Sequence, residues 1–395
     1  MKKIATIACA FLCLCACSKG DYFEDLMVGE MAPSDGAVSG DGDGNQGNPN
    51  QDSSRILTAG EWNDLENWDF WAGLLEKDEF KGYCQTWGFN TEGRVAVKLS
   101  TSKGKPAIGC KVELRRGEQV LWESRSDNKG LANCWPSIYE AKPDFSSLSL
   151  YIDGVKQEAE VLISYLQDKE VKLNEFTVDS SADIENSIDI AFLVDATGSM
   201  CDEINFLKSD LVNILERSSS FDENIKIRSA ALFYRDKGDE YLCKQQNFSL
   251  SPSETADYVK KQSAGGGGDY EEAVHTALEN GLQELSWNSK AISRIAFLIL
   301  DAPAHAEKEV YESLHNSIRL YAQKGISIIP LAASGANKYT EFMLRLFAIS
   351  TGGSYTFLTN DSGVGGDHIE ASVGDYQVEL LNDLMVRLIT ERMKI

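Results

Sequence analysis

The stretch IDIAFLVDATGSM, from Ile188 to Met200, is the clearest indication of the fold of the C-terminal half of this sequence. Its first seven residues are apolar at every position but one, which is typical of a strand covered on both faces of a sheet. A carboxylate and two hydroxyls follow, at Asp195, Thr197 and Ser199. On a strand-to-helix loop, side chains at i, i+2 and i+4 can point at one centre, and Gly198 permits the tight turn.

Further apolar runs of strand length alternate with amphipathic helices over residues 181–395. The clearest runs are Ile295 to Leu300 and Ile326 to Leu331. Helical spacing on one face is marked by Ile204, Leu207, Leu211 and Ile214. This alternation predicts an α/β domain with a doubly wound, mostly parallel sheet. Ligands of such sheets lie at the carboxyl ends of the strands, where Asp195 and Asp301 stand.

These residues resemble the metal-ion-dependent adhesion site of von Willebrand factor type A domains. The motif of that family is Asp-x-Ser/Thr-x-Ser, followed by a distant Thr or Asp and a further Asp. Four more segments match in the family's order: FYRD at 233–236, GGGGDYEEAV at 265–274, DAPAH at 301–305 and AISTGG at 348–353.

The resemblance implies a set of oxygen ligands for one cation. Thr197 and Ser199 would bind the ion directly, and Asp195 and Asp301 directly or through water. The remaining position is usually Thr in the family, and here we expect Asp269 to fill it. Oxygen ligands select Mg²⁺, Mn²⁺ or Ca²⁺ over zinc, with Mg²⁺ our first choice. The alternative is a type A fold whose site has lapsed.

Three residues near this face are candidates for contact with a bound partner. Arg235 and Asp236 end the segment FYRD at 233–236, and His305 follows Asp301 closely. The competing interpretations are a solvated turn for Arg235 and Asp236 and a surface residue for His305.

Residues 56–180 predict a smaller domain. Thr58 and Glu61 form a capping-box pattern that predicts a short helix carrying Trp62, Trp68 and Trp71. Such dense aromatic residues indicate burial against a sheet or, alternatively, a stacking platform for a glycan. Beyond them the apolar period becomes two, which predicts a small β-sandwich preceding the α/β domain.

The N-terminus predicts export and lipid anchoring. Lys2 and Lys3 precede an apolar run that ends at residue 16, as in a secretory signal. Residues 14–17, LCAC, resemble the lipobox of bacterial lipoproteins, so Cys17 would take the lipid. Residues 17–55 are rich in Gly, Asp, Ser and Asn and predict a flexible tether. We expect an outer-membrane lipoprotein of a Gram-negative bacterium, exposed at the surface; a periplasm-facing anchor and a plain cleaved signal are the alternatives.

Composition narrows the functional classes. The chain has 38 Lys and Arg against 61 Asp and Glu, a formal net charge of −23, which argues against nucleic-acid binding. Hydrolase and nucleotide-binding motifs are missing, so we expect no enzyme. The sequence predicts an envelope protein that binds a protein or matrix ligand through a divalent cation. The alternative is a structural component docked permanently to envelope or fimbrial proteins, with a purely structural cation.

Overall fold

The computed structural model describes residues 57–168, 170–179, 183–362 and 368–395, all within one compact unit. The predicted signal, the lipidation site Cys17 and the tether lie outside the described residues. Among the helices in these ranges, none combines the length and the apolar character needed to cross a membrane.

The N-terminal part of the described chain is mostly strands. Two helices, α1 (Trp68–Leu75) and α2 (Asp78–Trp87), follow the first strand. The strands are β1 (Thr58–Trp62), β2 (Gly93–Thr101), β3 (Lys111–Arg116), β4 (Gln119–Arg125), β5 (Leu131–Cys134), β6 (Leu148–Ile152), β7 (Val155–Lys156), β8 (Ser164–Tyr165) and β9 (Leu173–Val178).

The C-terminal part alternates strands with helices. Its strands are β10 (Glu185–Asp195), β11 (Lys226–Tyr234), β12 (Cys243–Ser249), β13 (Ala291–Leu300), β14 (Ile326–Ala332), β15 (Tyr355–Thr359) and β16 (Glu379–Leu380). Its helices are α3 (Cys201–Ser219), α4 (Pro252–Val259), α5 (Val274–Gln283), α6 (Lys308–Lys324), α7 (Lys338–Thr351) and α8 (Leu381–Glu391).

A large mixed sheet has the order β12-β11-β10-β13-β14-β15-β1-β16 within the described residues. The five strands from β11 to β15 in this order run parallel, and β12, β1 and β16 are antiparallel to their neighbours. Alternate residues of β10 enter two different apolar cores, Ala191 and Leu193 on one face and Ile190 and Phe192 on the other. Helices therefore cover both faces, which confirms a mixed α/β fold with a large sheet.

The expected helix at Thr58 is wrong. Residues Thr58–Trp62 form β1, which pairs antiparallel with β15 from Thr58 opposite Thr359 to Trp62 opposite Tyr355. The helix begins only at Trp68. Pairing with a distant strand outweighed a local capping signal, which is a weak determinant of structure. Five residues of the region predicted as the smaller domain thus belong to the large sheet.

The aromatic residues of this region are buried. Trp62, Trp68 and Trp71 are 8%, 2% and 0% exposed, and the ring of Trp71 stacks on Phe342 of α7 with centroids 5.8 Å apart. These three rings therefore pack in the core, and their faces are not available as a platform for a glycan.

The remaining N-terminal strands form two four-stranded sheets. One has the order β5-β2-β8, with β9 also paired to β2, and the other has the order β4-β3-β6-β7. Val97 of the first sheet and Leu114 of the second lie in the same core as Leu193 of the large sheet. Arg319 of α6 also donates a hydrogen bond of 2.7 Å to the carbonyl oxygen of Leu121 in β4. The small sheets therefore pack directly against one helical layer of the α/β part.

Candidate functional site

The predicted site lies at the carboxyl edge of the large sheet. Asp195 is the last residue of β10, and Asp301 directly follows β13. These strands are neighbours in parallel register, with Val194 opposite Ile299. Neighbouring strands lie about 4.8 Å apart, so the register brings both carboxylates to the same edge.

Asp195 is fully buried and only half satisfied. Its Oδ1 accepts hydrogen bonds from Thr197 N at 2.8 Å and Thr197 Oγ1 at 2.7 Å. Its Oδ2 is buried and has no hydrogen-bond partner in the described part of the chain. Burial raises the pKa of Asp195 to about 7, and the charge of Asp301 adds to this rise while the Thr197 hydrogen bonds oppose it. The carboxylate lacks a positive partner.

Asp301, at the end of the neighbouring strand, is a second buried carboxylate with one oxygen that lacks a partner among the described residues. It is 5% exposed, and this oxygen is Oδ1. Burial raises its pKa, and a hydrogen bond from Ser199, which is exposed on the Gly198–Met200 turn, lowers it. The fold thus brings Asp195, Thr197, Ser199 and Asp301 to the same edge of the sheet.

Glu203, in the first turn of α3, is a carboxylate of this site that the sequence analysis missed. It is 2% exposed, and its Oε1 accepts from Ser334 N at 3.1 Å and Ser334 Oγ at 3.0 Å. Its Oε2 has no partner within the described ranges. Burial raises its pKa, and Asp301 contributes to the rise.

Glu272, three residues after the expected ligand Asp269, is a further buried carboxylate near Thr197. Glu272 is 3% exposed, its amide donates to the Pro303 carbonyl at 2.9 Å, and its Oε2 has no partner in the part of the chain described. Burial raises its pKa to about 9, and Asp195 is the strongest of the charges that add to the rise. Asp269 is exposed. The only signal in the sequence was an acidic residue directly before the apolar start of α5.

A loop of four glycines, residues 265–268, passes beside Thr197. Gly266 and Gly267 have φ values of +81° and +78°, which L residues with a side chain rarely adopt. Gly267 N donates to Asp239 Oδ2 at 3.0 Å, and a Cβ on Gly266 would lie 2.5 Å from the same carboxylate. Glycine is therefore required here, and Asp239 holds the loop in place.

The three predicted contact residues have partners within the protein. Arg235 is 8% exposed, and its guanidinium donates to the carbonyls of Ala196 at 3.0 Å and Ser263 at 2.9 Å, which ties two loops of the site together. Asp236 Oδ1 lies 2.7 Å from His305 Nε2. Asp236 is buried, and the His305 side chain is 16% exposed. Arg235 and Asp236 therefore brace the site, and only His305 retains an accessible edge.

The donor set fits a hard divalent cation. Asp195, Asp301, Glu203 and Glu272 each hold one buried carboxylate oxygen without a hydrogen-bond donor in the described part of the chain. Such oxygens are costly to bury unless a cation or donor satisfies them. In these ranges, His, Cys, Asp and Glu alone form no group of three or more with metal-binding geometry, so a site here needs the hydroxyls of Thr197 and Ser199. Mixed carboxylate and hydroxyl oxygens are ligands that Mg²⁺ and Ca²⁺ accept.

Parts of this chain are similar to known proteins. Residues 189–363 match the family model of the von Willebrand factor A domain. The alpha-protein kinase vwkA of Dictyostelium discoideum is 29% identical over 152 residues, which are 38% of this chain and 23% of that protein, so this chain spans less than a quarter of that relative. The crystal structure of the pilus adhesin SpaC from Lactobacillus rhamnosus GG aligns with a TM-score of 0.38 and 9% identity over 53% of this chain and 31% of its own. Residues 189–363 of this protein are a von Willebrand factor A domain.

Proposed function

We propose that the von Willebrand factor A domain binds a protein or matrix ligand through a divalent cation held at the edge of its sheet. The observation that carries this proposal is the group of four buried carboxylates, each with an oxygen that lacks a partner in the described part of the chain. They stand beside Thr197 and Ser199 at the carboxyl end of a mostly parallel sheet, where ligands of such folds bind.

In this proposal, four residues bind the ion, and one of them, Ser199, also faces the partner. The hydroxyls of Thr197 and Ser199 and the carboxylates of Asp195 and Asp301 hold the ion. Mg²⁺ is the first choice, and Mn²⁺ and Ca²⁺ are also compatible with an all-oxygen set. An ion held by these residues would supply Lewis-acid attraction for an oxygen atom of the partner. The exposed side of Ser199 is where that partner would approach.

The proposed activity is adhesion or assembly without turnover. The chain spans only 23% of its kinase relative, and we do not transfer that protein's activity to it. Attachment to the outer membrane would come from a lipid on Cys17, because a chain with a net charge of −23 is repelled by anionic headgroups. Mass spectrometry of a Cys17→Ala variant should show the loss of the acyl chains; acyl chains that persist would exclude this anchor.

The decisive experiment is capture of partners from an envelope extract in Mg²⁺ and in EDTA. We expect partners to be retained in Mg²⁺ and released by EDTA, and Asp301→Asn to retain them poorly in both. Asp202→Asn is a matched control, because it removes a carboxylate at the start of α3 outside the group of orphaned oxygens. Partners that stay bound in EDTA would instead indicate permanent docking with a structural cation.

A further inference from the structure

A second polar cavity, of about 560 Å³, opens at the opposite edge of the large sheet. Its lining includes Arg294 and Ser327, near the starts of β13 and β14, together with Arg125 at the end of β4. Asp301 lies seven positions after Arg294 along β13 and the residue that follows it, which places the two sites about 23 Å apart along the strand. The cavity is therefore independent of the cation site.

Three arginines of the lining make no ion pair with the described residues: Arg94, Arg125 and Arg294. Each donates to carbonyl oxygens of the backbone instead, and Arg94 Nε also donates to Asn133 Oδ1 at 2.8 Å. Arg94 Nη1 donates to the Leu65 carbonyl at 2.7 Å, and Arg125 Nη1 donates to the Gly109 carbonyl at 3.1 Å. For Arg294, Nη1 donates to the Ala291 carbonyl at 3.1 Å. These bonds fix the guanidinium groups without neutralising their charge.

One nitrogen of each guanidinium remains available. The Nη2 atoms of Arg94, Arg125 and Arg294 have no hydrogen-bond partner in the described part of the chain. Arg294 Nη2 and Arg125 Cβ each lie 3.0 Å from the point where a Cβ on Gly325 would stand, so these two side chains meet at one place. The pKa of Arg294 is lowered to about 10, mainly by burial and also by the positive charge of Arg125, while Asp189 opposes the shift. Asp189 itself pairs with Arg228 at 3.4 Å, so Arg125 and Arg294 are held near each other with no ion pair of their own among the described residues.

Three of the four carboxylates of the lining pair with two other arginines of the same lining, Arg387 and Arg392. Glu61 and Glu391 pair with Arg387 at 2.8 Å and 3.5 Å. Asp127 lies 3.9 Å from Arg392. Glu66 is the remaining acidic side chain of this lining. The cavity therefore carries a local surplus of positive charge in a chain whose formal net charge is −23.

Two neutral polar atoms of the lining also lack partners among the described residues. They are Asn128 Oδ1 and Ser350 Oγ, on residues that are 1% and 2% exposed. The amide nitrogen of Asn128 is already used, since it donates to the carbonyls of Glu391 at 2.9 Å and Lys394 at 2.7 Å. Asn128 Oδ1 can only accept, so it suits a hydroxyl of a ligand.

We propose that this cavity binds a small organic oxyanion, a phosphate- or carboxylate-bearing compound that also carries hydroxyl groups. Guanidinium N–H groups match the geometry of both kinds of oxyanion, and charge-assisted hydrogen bonds of this type are strong. The volume lies within the range of small-molecule sites. Asn128 and Ser350 take the hydroxyls, and the three arginines take the charge.

The test is calorimetry on the full-length protein in EDTA, so that the cation site does not contribute. Inorganic phosphate and D-glucuronate are the two probes, and D-glucose is the neutral control. We expect one or both anions to bind with a Kd below about 10 mM and glucose not to bind. Arg125→Gln should weaken anion binding at least about tenfold. Arg319→Gln is the matched control, because Arg319 also donates to a backbone carbonyl but lies outside the lining.

A second variant separates the two chemical sources. Ser350→Ala removes no hydrogen bond within the described residues, and so should leave the fold intact. It should weaken glucuronate binding and leave phosphate binding unchanged. Binding of phosphate alone would assign the site to a phosphoryl group, and stronger binding of glucuronate to a carboxylated sugar. The proposal fails if neither anion binds at about 50 mM, if Arg125→Gln binds as the unmodified protein does, or if Arg319→Gln loses binding equally.

Discussion

Replacing Asp195 by Asn should stabilise the protein without a divalent cation, and a bound cation should take away most of that advantage. Asn has nearly the same shape, and its Oδ1 can still accept from Thr197 N and Thr197 Oγ1 as the carboxylate does. The substitution therefore removes a buried negative charge and leaves the loop geometry intact. It also removes the oxygen that we expect to bind the cation.

The magnitude without cation follows from the pKa. Burial raises the pKa of Asp195 from 3.8 to about 7, so the folded state binds a proton more tightly than the unfolded state does. Stability is therefore lost as pH rises from about 4 to about 7. At about 1.4 kcal/mol per pKa unit, the loss at pH 8 reaches about 4 kcal/mol. Asp195→Asn avoids this cost and should be the more stable protein in EDTA.

A cation should narrow this difference. An ion at 100 times its Kd stabilises the folded state by about 2.7 kcal/mol, and only the protein that binds it gains, so the advantage of Asp195→Asn should fall from about 4 to about 1 kcal/mol. The assay is urea unfolding at pH 8, first in EDTA and then at a series of Mg²⁺ concentrations that rise in tenfold steps. Asp202→Asn should follow the unmodified protein within about 0.5 kcal/mol in both conditions. The reasoning is refuted if Asp195→Asn is the less stable protein in EDTA, or if Mg²⁺ stabilises it as much as the unmodified protein.

Three more predictions concern other parts of the molecule. Glu272→Gln should weaken Mg²⁺ affinity about tenfold while Asp269→Asn changes it less than twofold; equal losses by calorimetry would contradict the placement of the two residues. Asp189→Asn should remove a stability loss of up to about 3 kcal/mol between pH 4 and pH 6, because burial raises the pKa of Asp189 from 3.8 to about 6; urea unfolding at both pH values measures it. Arg345→Ala should cost about 3–5 kcal/mol, since it leaves the buried Asp64 without its ion pair; unfolding within 1 kcal/mol of the unmodified protein would contradict this.

The sequence alone indicated the type A domain and the loop that defines its edge. Apolar runs such as Ile188 to Val194 are buried wherever a parallel sheet is covered on both faces, so composition and length suffice to predict them. The spacing of Asp195, Thr197 and Ser199 is equally local, because a single turn brings these three residues together. Asp301 could be added because it ends another apolar run.

Contacts between distant segments required the tertiary structure. The choice between Asp269 and Glu272 depended on which residue the glycine loop turns inward, and the sequence around Gly265 to Gly268 carries no periodicity that reveals it. The local sequence from Thr58 to Trp62 predicts the start of a helix. These residues form a strand because they pair with the edge of β15. Local patterns cannot record a partner 301 residues away, as Thr58 has in Thr359.

The arginine-lined cavity is the clearest example of a feature that local sequence patterns do not reveal. Arg94, Arg125 and Arg294 come from three separate strands, and nothing in their sequence neighbourhoods relates one to another. An acidic composition even argues against a positively charged site. Only packing of the small sheets against the α/β part brings the three guanidinium groups to one cavity, because burial and charge depend on neighbours in space, whereas strand and turn patterns depend on neighbours along the chain.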